Sequence, residues 1–190
     1  MAMTVSRRKE SHTPRVFMHK VADIRGGVSV NVKELGGDFL REGSVLSEPK
    51  DGICHVVKFA VLTEEANETA TTFKVEKGHN FKVGDFVMAK EGAKAYPISK
   101  IADTEKTYDT ITISTTLGEV VKMGSFIIEA KAESASNSSA LKFVPLSLSG
   151  TGKPVVQGHN FDTDAWLIGV TKGNPLPECI AKHLKGIINY

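Results

Sequence analysis

The chain is short of the residue patterns that announce chemistry. Only two cysteines occur in 190 residues, Cys54 and Cys179, far apart and without CxxC spacing. That excludes a cysteine-based zinc site or a dense disulfide framework and leaves two free thiols, expected to be buried. No apolar run approaches the roughly 18 residues of a membrane-spanning helix. Residues 1–20 are polar and basic, without the apolar middle of a secretory signal, so a soluble intracellular product is expected. The six histidines form no HxH or HExxH pattern, and no serine sits in a GxSxG setting. Gly150-Thr151-Gly152-Lys153 fails as a phosphate loop, because Pro154 stands where Ser or Thr would bind the metal and no long helix follows. No catalytic, cofactor-binding or metal-ligating residue is therefore assigned, and no enzyme is expected. Two sequons, at Asn67 and Asn137, lie in polar loops and carry no meaning without secretion.

Charge is present but unevenly placed. The net charge of the chain is +2, yet residues 1–20 hold Arg7, Arg8, Lys9, Arg15 and Lys20 against Glu10 alone, so the remaining residues are slightly acidic. Such an arm, residues 1–25 in all, suits contact with an acidic protein surface or nucleic acid, the plain alternative being a solvated terminus. Within it Val16, Phe17 and Met18 are apolar enough to dock on a partner.

Most of the chain reads as β-structure. Val28-Ser29-Val30-Asn31-Val32 alternates with the period of a half-buried strand between paired glycines. A second strand is expected near Gly43–Leu46, then a Glu48–Gly52 turn and a β-branched run to Leu62. Two polar stretches, Thr63–Thr71 and Ala132–Ala140, look like hinges. Between them, strands are expected at Thr72–Val75, Phe86–Lys90, Ala95–Ala102, Tyr108–Thr115 and Ser125–Ala130, with turn signals about every ten residues. After Ala140 the β pattern resumes through Leu148 and again over Ala165–Val170. Ile180, Leu184, Ile187 and Ile188 then recur at helical spacing behind Pro177, which predicts one short C-terminal helix over 178–188. The expected fold is mainly β: an outer β-domain of residues 26–62 plus 140–190, interrupted by a small barrel or sandwich over 72–131. A single elongated β-domain is the competing arrangement.

The phrase Gly-His-Asn-Phe occurs twice, at 78–81 and 158–161. Its residue types favour a turn followed by an inward aromatic anchor over a metal or acid/base site. A hydrolase would need His159, Asp162 and Asp164 to converge. A carbohydrate-binding or adhesive module would need Trp166, Tyr96 or Tyr108 on one flat exposed face.

Gly43-Ser44-Val45-Leu46 with Asp51-Gly52-Ile53, then Val144-Pro145-Leu146-Ser147-Leu148 and Ile168-Gly169-Val170-Thr171-Lys172-Gly173, resemble strand and turn phrases of tailed-phage head-decoration and head-fiber proteins. The terminal Leu176-Pro177 with its short helix is similar to their C-terminal segment, and the unit at 72–131 resembles the projecting domain of fiber-like versions. The resemblance implies a virion structural protein of a phage or prophage, made in the bacterial cytoplasm and bound to the capsid surface. The partners it implies are the major capsid protein and further copies of the chain in a homotrimer, with host glycan a candidate for the inserted unit, and neither a membrane nor a specific nucleic acid. Arg7, Arg8, Arg15, Val16, Phe17 and Met18 are the expected capsid contacts. Removing residues 1–20 is expected to abolish binding and leave the fold intact.

Overall fold

The computed structural model describes residues 16–190. Sixteen short strands and one short helix follow one another along this span. In chain order the first group is β1 Phe17–Asp23, β2 Val28–Val30, β3 Phe39–Leu40, β4 Val45–Ser47 and β5 Ile53–Cys54. The next is β6 Phe59–Val61, β7 Thr72–Glu76, β8 Phe86–Met88, β9 Ala95–Ala102, β10 Tyr108–Ile113 and β11 Phe126–Ala130. The last is β12 Pro145–Ser149, β13 Lys153–Pro154, β14 Phe161–Thr163, β15 Ala165–Thr171, α1 Glu178–Ala181 and β16 Ile187–Asn189. The chain is mainly β, with one short C-terminal helix, as its alternating pattern predicts.

The middle group forms one six-stranded sheet in the order β6-β11-β8-β9-β10-β7. Alternation explains its core. In β10, Ile111 and Ile113 turn inward at 0% and 2% exposure while Thr110 and Thr112 stay half-buried on the other face. Val87, Ile98, Phe73, Val75 and Ile127 meet those isoleucines in one cluster. The sheet curls round it, because Leu62 just past β6 bridges Val75 of β7, and the Thr63 amide donates to the Lys74 carbonyl at 2.9 Å. This sheet draws in Phe59–Val61, ahead of the polar stretch that was expected to precede the inserted unit.

The outer group forms a five-stranded sheet, β1-β15-β12-β4 with β16 also on β15, and two smaller sheets, β14-β2-β5 and β13-β3. β11 is covered on both faces: Ile127 points into the curled sheet, whereas Ile128 and Ala130 join Phe17, Val45, Leu148, Ile180 and Leu184 in a second core. That second core therefore spans both groups of strands. A third core, Val28, Val30, Leu35, Leu40, Leu46, Cys54, Val56 and Ala165, lies wholly in the outer group.

Three expectations change. The two polar stretches are pinned rather than loose: Ala66 exchanges backbone hydrogen bonds with Val121 at 2.8 and 2.9 Å, and Ser134 does so with Ala95 at the same distances. Small residues let these segments lie flat against strands, and backbone pairing needs no apolar side chain. The C-terminal helix stops at Ala181, and Ile187 and Ile188 belong to β16, which pairs parallel with β15. Gly186 permits that exchange, since a Cβ there would lie 2.4 Å from the Leu167 carbonyl oxygen; a larger residue would keep the chain off β15. Finally, β1 begins at Phe17, so the last part of the expected arm is a strand of the outer sheet, paired along β15 from Thr171 to Trp166.

Candidate functional site

The segment joining β7 to β8 carries the first Gly-His-Asn-Phe phrase. Gly78 and Asn80 both take positive φ, 83° and 59°, and the reversal aims Phe81 inward at 2% exposure. The His79 Nδ1 accepts a hydrogen bond from the Phe81 amide at 3.0 Å. Nδ1 must be unprotonated to accept, so the neutral ring carries its hydrogen on Nε2, facing Asp109 Oδ2 at 3.4 Å. Burial pushes the His79 pKa down; Asp109 acts the other way, and the cations Lys77, Arg41 and Lys58 add to the depression. Asp109 itself is held by Lys77 Nζ at 2.5 Å. The Asp109–His79 pair resembles a catalytic dyad only in part. The nitrogen that would face a nucleophile is occupied by a backbone amide, which leaves the imidazole no free base position.

The outer loop 31–37 locks onto both copies of the phrase. The Gly36 amide donates to the Asn80 carbonyl at 3.0 Å, and the Val32 amide to Asn160 Oδ1 at 3.3 Å. Lys82 Nζ donates to the Lys33 carbonyl at 2.9 Å and Gln157 Nε2 to the Leu35 carbonyl at 3.1 Å. The approach is close enough that a Cβ on Gly36 would stand 2.0 Å from the Phe81 carbonyl oxygen. The duplicated phrase thus does the same work twice, clamping one loop from two sides. In the second copy the anchor is weaker: Phe161 is half-buried at the start of β14, and His159 and Asn160 are exposed.

Beneath the loop lies a buried ionic network. Lys58, fully buried between β5 and β6, reaches Asp85 Oδ2 at 2.5 Å, Glu129 Oε1 at 3.0 Å and the Glu34 carbonyl at 3.0 Å. Lys142 Nζ meets the same Glu129 oxygen at 2.9 Å, and the Lys82 amide donates to Asp85 Oδ2 at 2.9 Å. Glu129 Oε2 has no partner among the described residues. Burial raises the Glu129 pKa against the pull of Lys58 and Lys142. For Lys142, burial disfavours the charge, but the hydrogen bond and charge of Glu129 outweigh it and its pKa is raised. Nearby, His55 Nδ1 lies 2.9 Å from Glu34 Oε2, and its ring stacks on Phe143 at 4.2 Å.

Two clefts adjoin across Arg41 and the Lys77–Asn80 segment. One, of about 480 Å³, is lined among others by Val16, Glu42, Lys58 and Asn174. The other, of about 830 Å³, is lined further by Phe39, Asp38, Ile101 and Asp103. Among the described residues no group of three or more His, Cys, Asp or Glu side chains is arranged to hold a metal, and no helix is long and apolar enough to cross a membrane.

The residues expected to contact a capsid are distributed as follows. Arg7, Arg8 and Arg15 lie outside the described residues. Val16 is half-buried, and its carbonyl accepts from the Lys172 amide at 2.9 Å. Phe17 packs into the chain's own core at 8% exposure, with its ring centroid 3.7 Å from that of Trp166. Of the three apolar residues, Met18, 56% exposed, presents the most surface to solvent. The aromatic residues weighed for sugar binding do not share a face: Tyr96 is buried in the curled sheet, while Trp166 lies in the outer sheet under Phe17 and the Lys20 ammonium. His159 forms no ion pair with Asp162 or Asp164 among the described residues; Asp164 instead accepts from Thr151 Oγ1 at 3.3 Å. Cys54 is buried and Cys179 half-buried, and burial raises the pKa of both thiols.

Sequence reasoning passed over Lys58, Glu129, Lys142 and Arg41, and weighed Asp85 only as a neighbour of His79, whereas it pairs with Lys58. For Lys58 and Glu129 a signal existed, since each interrupts an otherwise apolar β run, Val56-Val57-Lys58-Phe59-Ala60 and Ile127-Ile128-Glu129-Ala130. A charge embedded in such a run needs a buried partner. No protein-family model, curated protein or solved structure matches this chain.

Proposed function

We propose that the chain is a capsid-associated structural protein of a tailed phage or prophage, of the head-decoration or head-fiber kind, that binds the capsid surface and works without catalysis. One observation carries the reading: the segment following the basic residues enters the outer sheet as an edge strand. β1 pairs with β15 on one side only, and among the described residues no strand covers its other edge. Met18 and Val21 stand 56% and 61% exposed along it. An uncovered edge of seven residues is a template for a strand of the major capsid protein or of another copy of the chain in a homotrimer. The basic residues before it supply attraction to an acidic capsid surface.

The test is co-sedimentation with shells assembled from the major capsid protein of the same phage or prophage. Met18→Lys with Val21→Lys changes exposed side chains and should abolish binding while leaving the melting temperature within about 2 °C. Removing residues 1–15 should weaken binding and steepen no unfolding transition. A deletion through residue 20 is unsuitable, because it takes Phe17 out of the core. Full binding by both variants would refute the reading, and light scattering that gives a trimer would support its oligomeric part.

A further inference from the structure

We propose that the larger cleft is a binding site for an acidic saccharide, with Arg41 as the carboxylate clamp and Phe39 as the ring platform. The inference is independent of capsid attachment, which uses the β1 edge.

The strand geometry comes first. Leu40 of β3 is fully buried in the third core, whereas Phe39 before it and Arg41 just past the end of the strand are both exposed. Both line the larger cleft. Residues two apart on a strand are about 7 Å from one another, which spans one sugar ring and its exocyclic acid. Phe39 is 37% exposed, and its ring rests against Gly152, where a Cβ would lie 2.9 Å from the ring atoms. The ring is thereby held along its Cε1–Cζ edge while the residue keeps 37% of its surface exposed. A held, exposed aromatic ring is a platform for the C–H face of a sugar.

Arg41 is held in the same manner. Its guanidinium lies across Gly78, with Nε, Cζ and Nη2 at 2.5–2.7 Å from where a Cβ would be. Among the described residues it forms no ion pair, although charges crowd the cleft around it. An unpaired, positioned guanidinium presents its planar fork to a carboxylate.

The charge balance decides the ligand class. Arg41, Lys77 and Lys82 face Asp38, Asp103 and Asp109 in the one cleft, and His79 is held toward its neutral form. Three cations against three carboxylates give no net attraction for a nucleic-acid backbone or another polyanion. Lys77 is moreover committed to Asp109 at 2.5 Å and to the Asp103 carbonyl at 3.3 Å. What remains, unpaired with any carboxylate among the described residues, is the Arg41 guanidinium and the Lys82 ammonium, the latter held by the Lys33 carbonyl at 2.9 Å; the Asp38 and Asp103 carboxylates of the same lining are likewise in no ion pair among the described residues, and both are exposed. Carboxylates accept hydrogen bonds from hydroxyls and repel anions, so the complementary ligand carries one acid group on a hydroxyl-rich frame. The cleft volume of about 830 Å³ falls in the range of small-ligand sites, which is roughly 300–1,000 Å³.

The experiment titrates the full chain, by amide chemical shifts and calorimetry, with a panel of oligosaccharides. Three probes are acidic, containing galacturonate, glucuronate or N-acetylneuraminate; maltotriose and inorganic phosphate are the neutral and plain-anion controls. The expected result is binding of at least one acidic probe, at least tenfold tighter than maltotriose and phosphate, with shifts at Phe39, Arg41 and Asp103. Arg41→Gln and Phe39→Ala should each weaken it at least tenfold while Arg41→Gln keeps the wild-type melting temperature and capsid co-sedimentation. Binding of none of the acidic probes, equal binding of maltotriose or phosphate, or full affinity in Arg41→Gln would each overturn the proposal. Loss of capsid binding in the Met18→Lys, Val21→Lys protein with saccharide binding intact separates the two readings.

Discussion

Replacing Lys58 by methionine removes one positive charge from the most deeply buried ionic site of the described chain. The Lys58 side chain is 0% exposed, and its two partners, Asp85 and Glu129, are 6% and 1% exposed. Removing one member of a buried pair leaves the other desolvated without compensation, at a cost of about 3–5 kcal/mol. Two observations place the expected loss toward the lower end. Glu129 keeps Lys142 at 2.9 Å, and Asp85 keeps the Lys82 amide at 2.9 Å. A loss of about 3 kcal/mol with a urea slope of about 2 kcal/mol/M shifts the unfolding midpoint by about 1.5 M. The slope itself should not change, because the exposed area is the same. Adding Asp85→Asn and Glu129→Gln to Lys58→Met removes the stranded charges and should recover more than half of the lost stability. The loss should also shrink between pH 7 and pH 5, since stranded carboxylates can take up protons. A Lys58→Met protein within about 1 kcal/mol of wild type at pH 7 would refute the view that this network bears on stability.

Three further outcomes follow from the same geometry. His79 is held below its ordinary pKa of 6.5, so the unfolded chain binds the proton more readily than the folded one. Its contribution is therefore complete above about pH 6.5 and is lost as the pH falls below it, while Glu129, raised, works oppositely, stabilising below its ordinary 4.5 and ceasing to do so as pH rises through its folded value. His79→Asn keeps an acceptor for the Phe81 amide and cannot titrate, so urea midpoints measured from pH 7.5 to 5.5 should lose the His79 slope; an unchanged slope would assign it elsewhere. Gly36→Ala forces a methyl group against the Phe81 carbonyl and should cost about 2 kcal/mol or more, read as a lower thermal midpoint. Phe17→Ala should cost about 3 kcal/mol by the same measurement, whereas an exposed docking residue would cost under about 0.5.

The β character and most strand positions were legible in the chain because they rest on local alternation. Thr110-Ile111-Thr112-Ile113 sorts its side chains to two faces whatever the sheet around it, and Ala95–Ala102 was readable to the residue. The structural role of Gly-His-Asn-Phe was legible for a similar reason, since Gly and Asn tolerate the positive φ that the turn at 78–80 requires. The C-terminal end was misread where one pattern served two structures: Ile187 and Ile188 fit a helical stripe, but the uncovered edge of β15 offers them backbone partners that a local pattern cannot contain. The candidate site was scarcely legible. Arg41, Asp103 and Asp109 are separated by about 60 residues or more of sequence from one side of the cleft to the other, and their shared surface exists only because loop 31–37 docks on the 78–81 turn. By itself the sequence determined the period-two pattern, the turns and the uneven charge, because these depend on neighbours a few residues away. Only the tertiary structure decided that Phe17 is core, that Lys58 is neutralised by Asp85 just ahead of β8 and by Glu129 of β11, and that Arg41, in no ion pair among the described residues, lines the same cleft as Phe39, because each depends on which distant groups fill the remaining space.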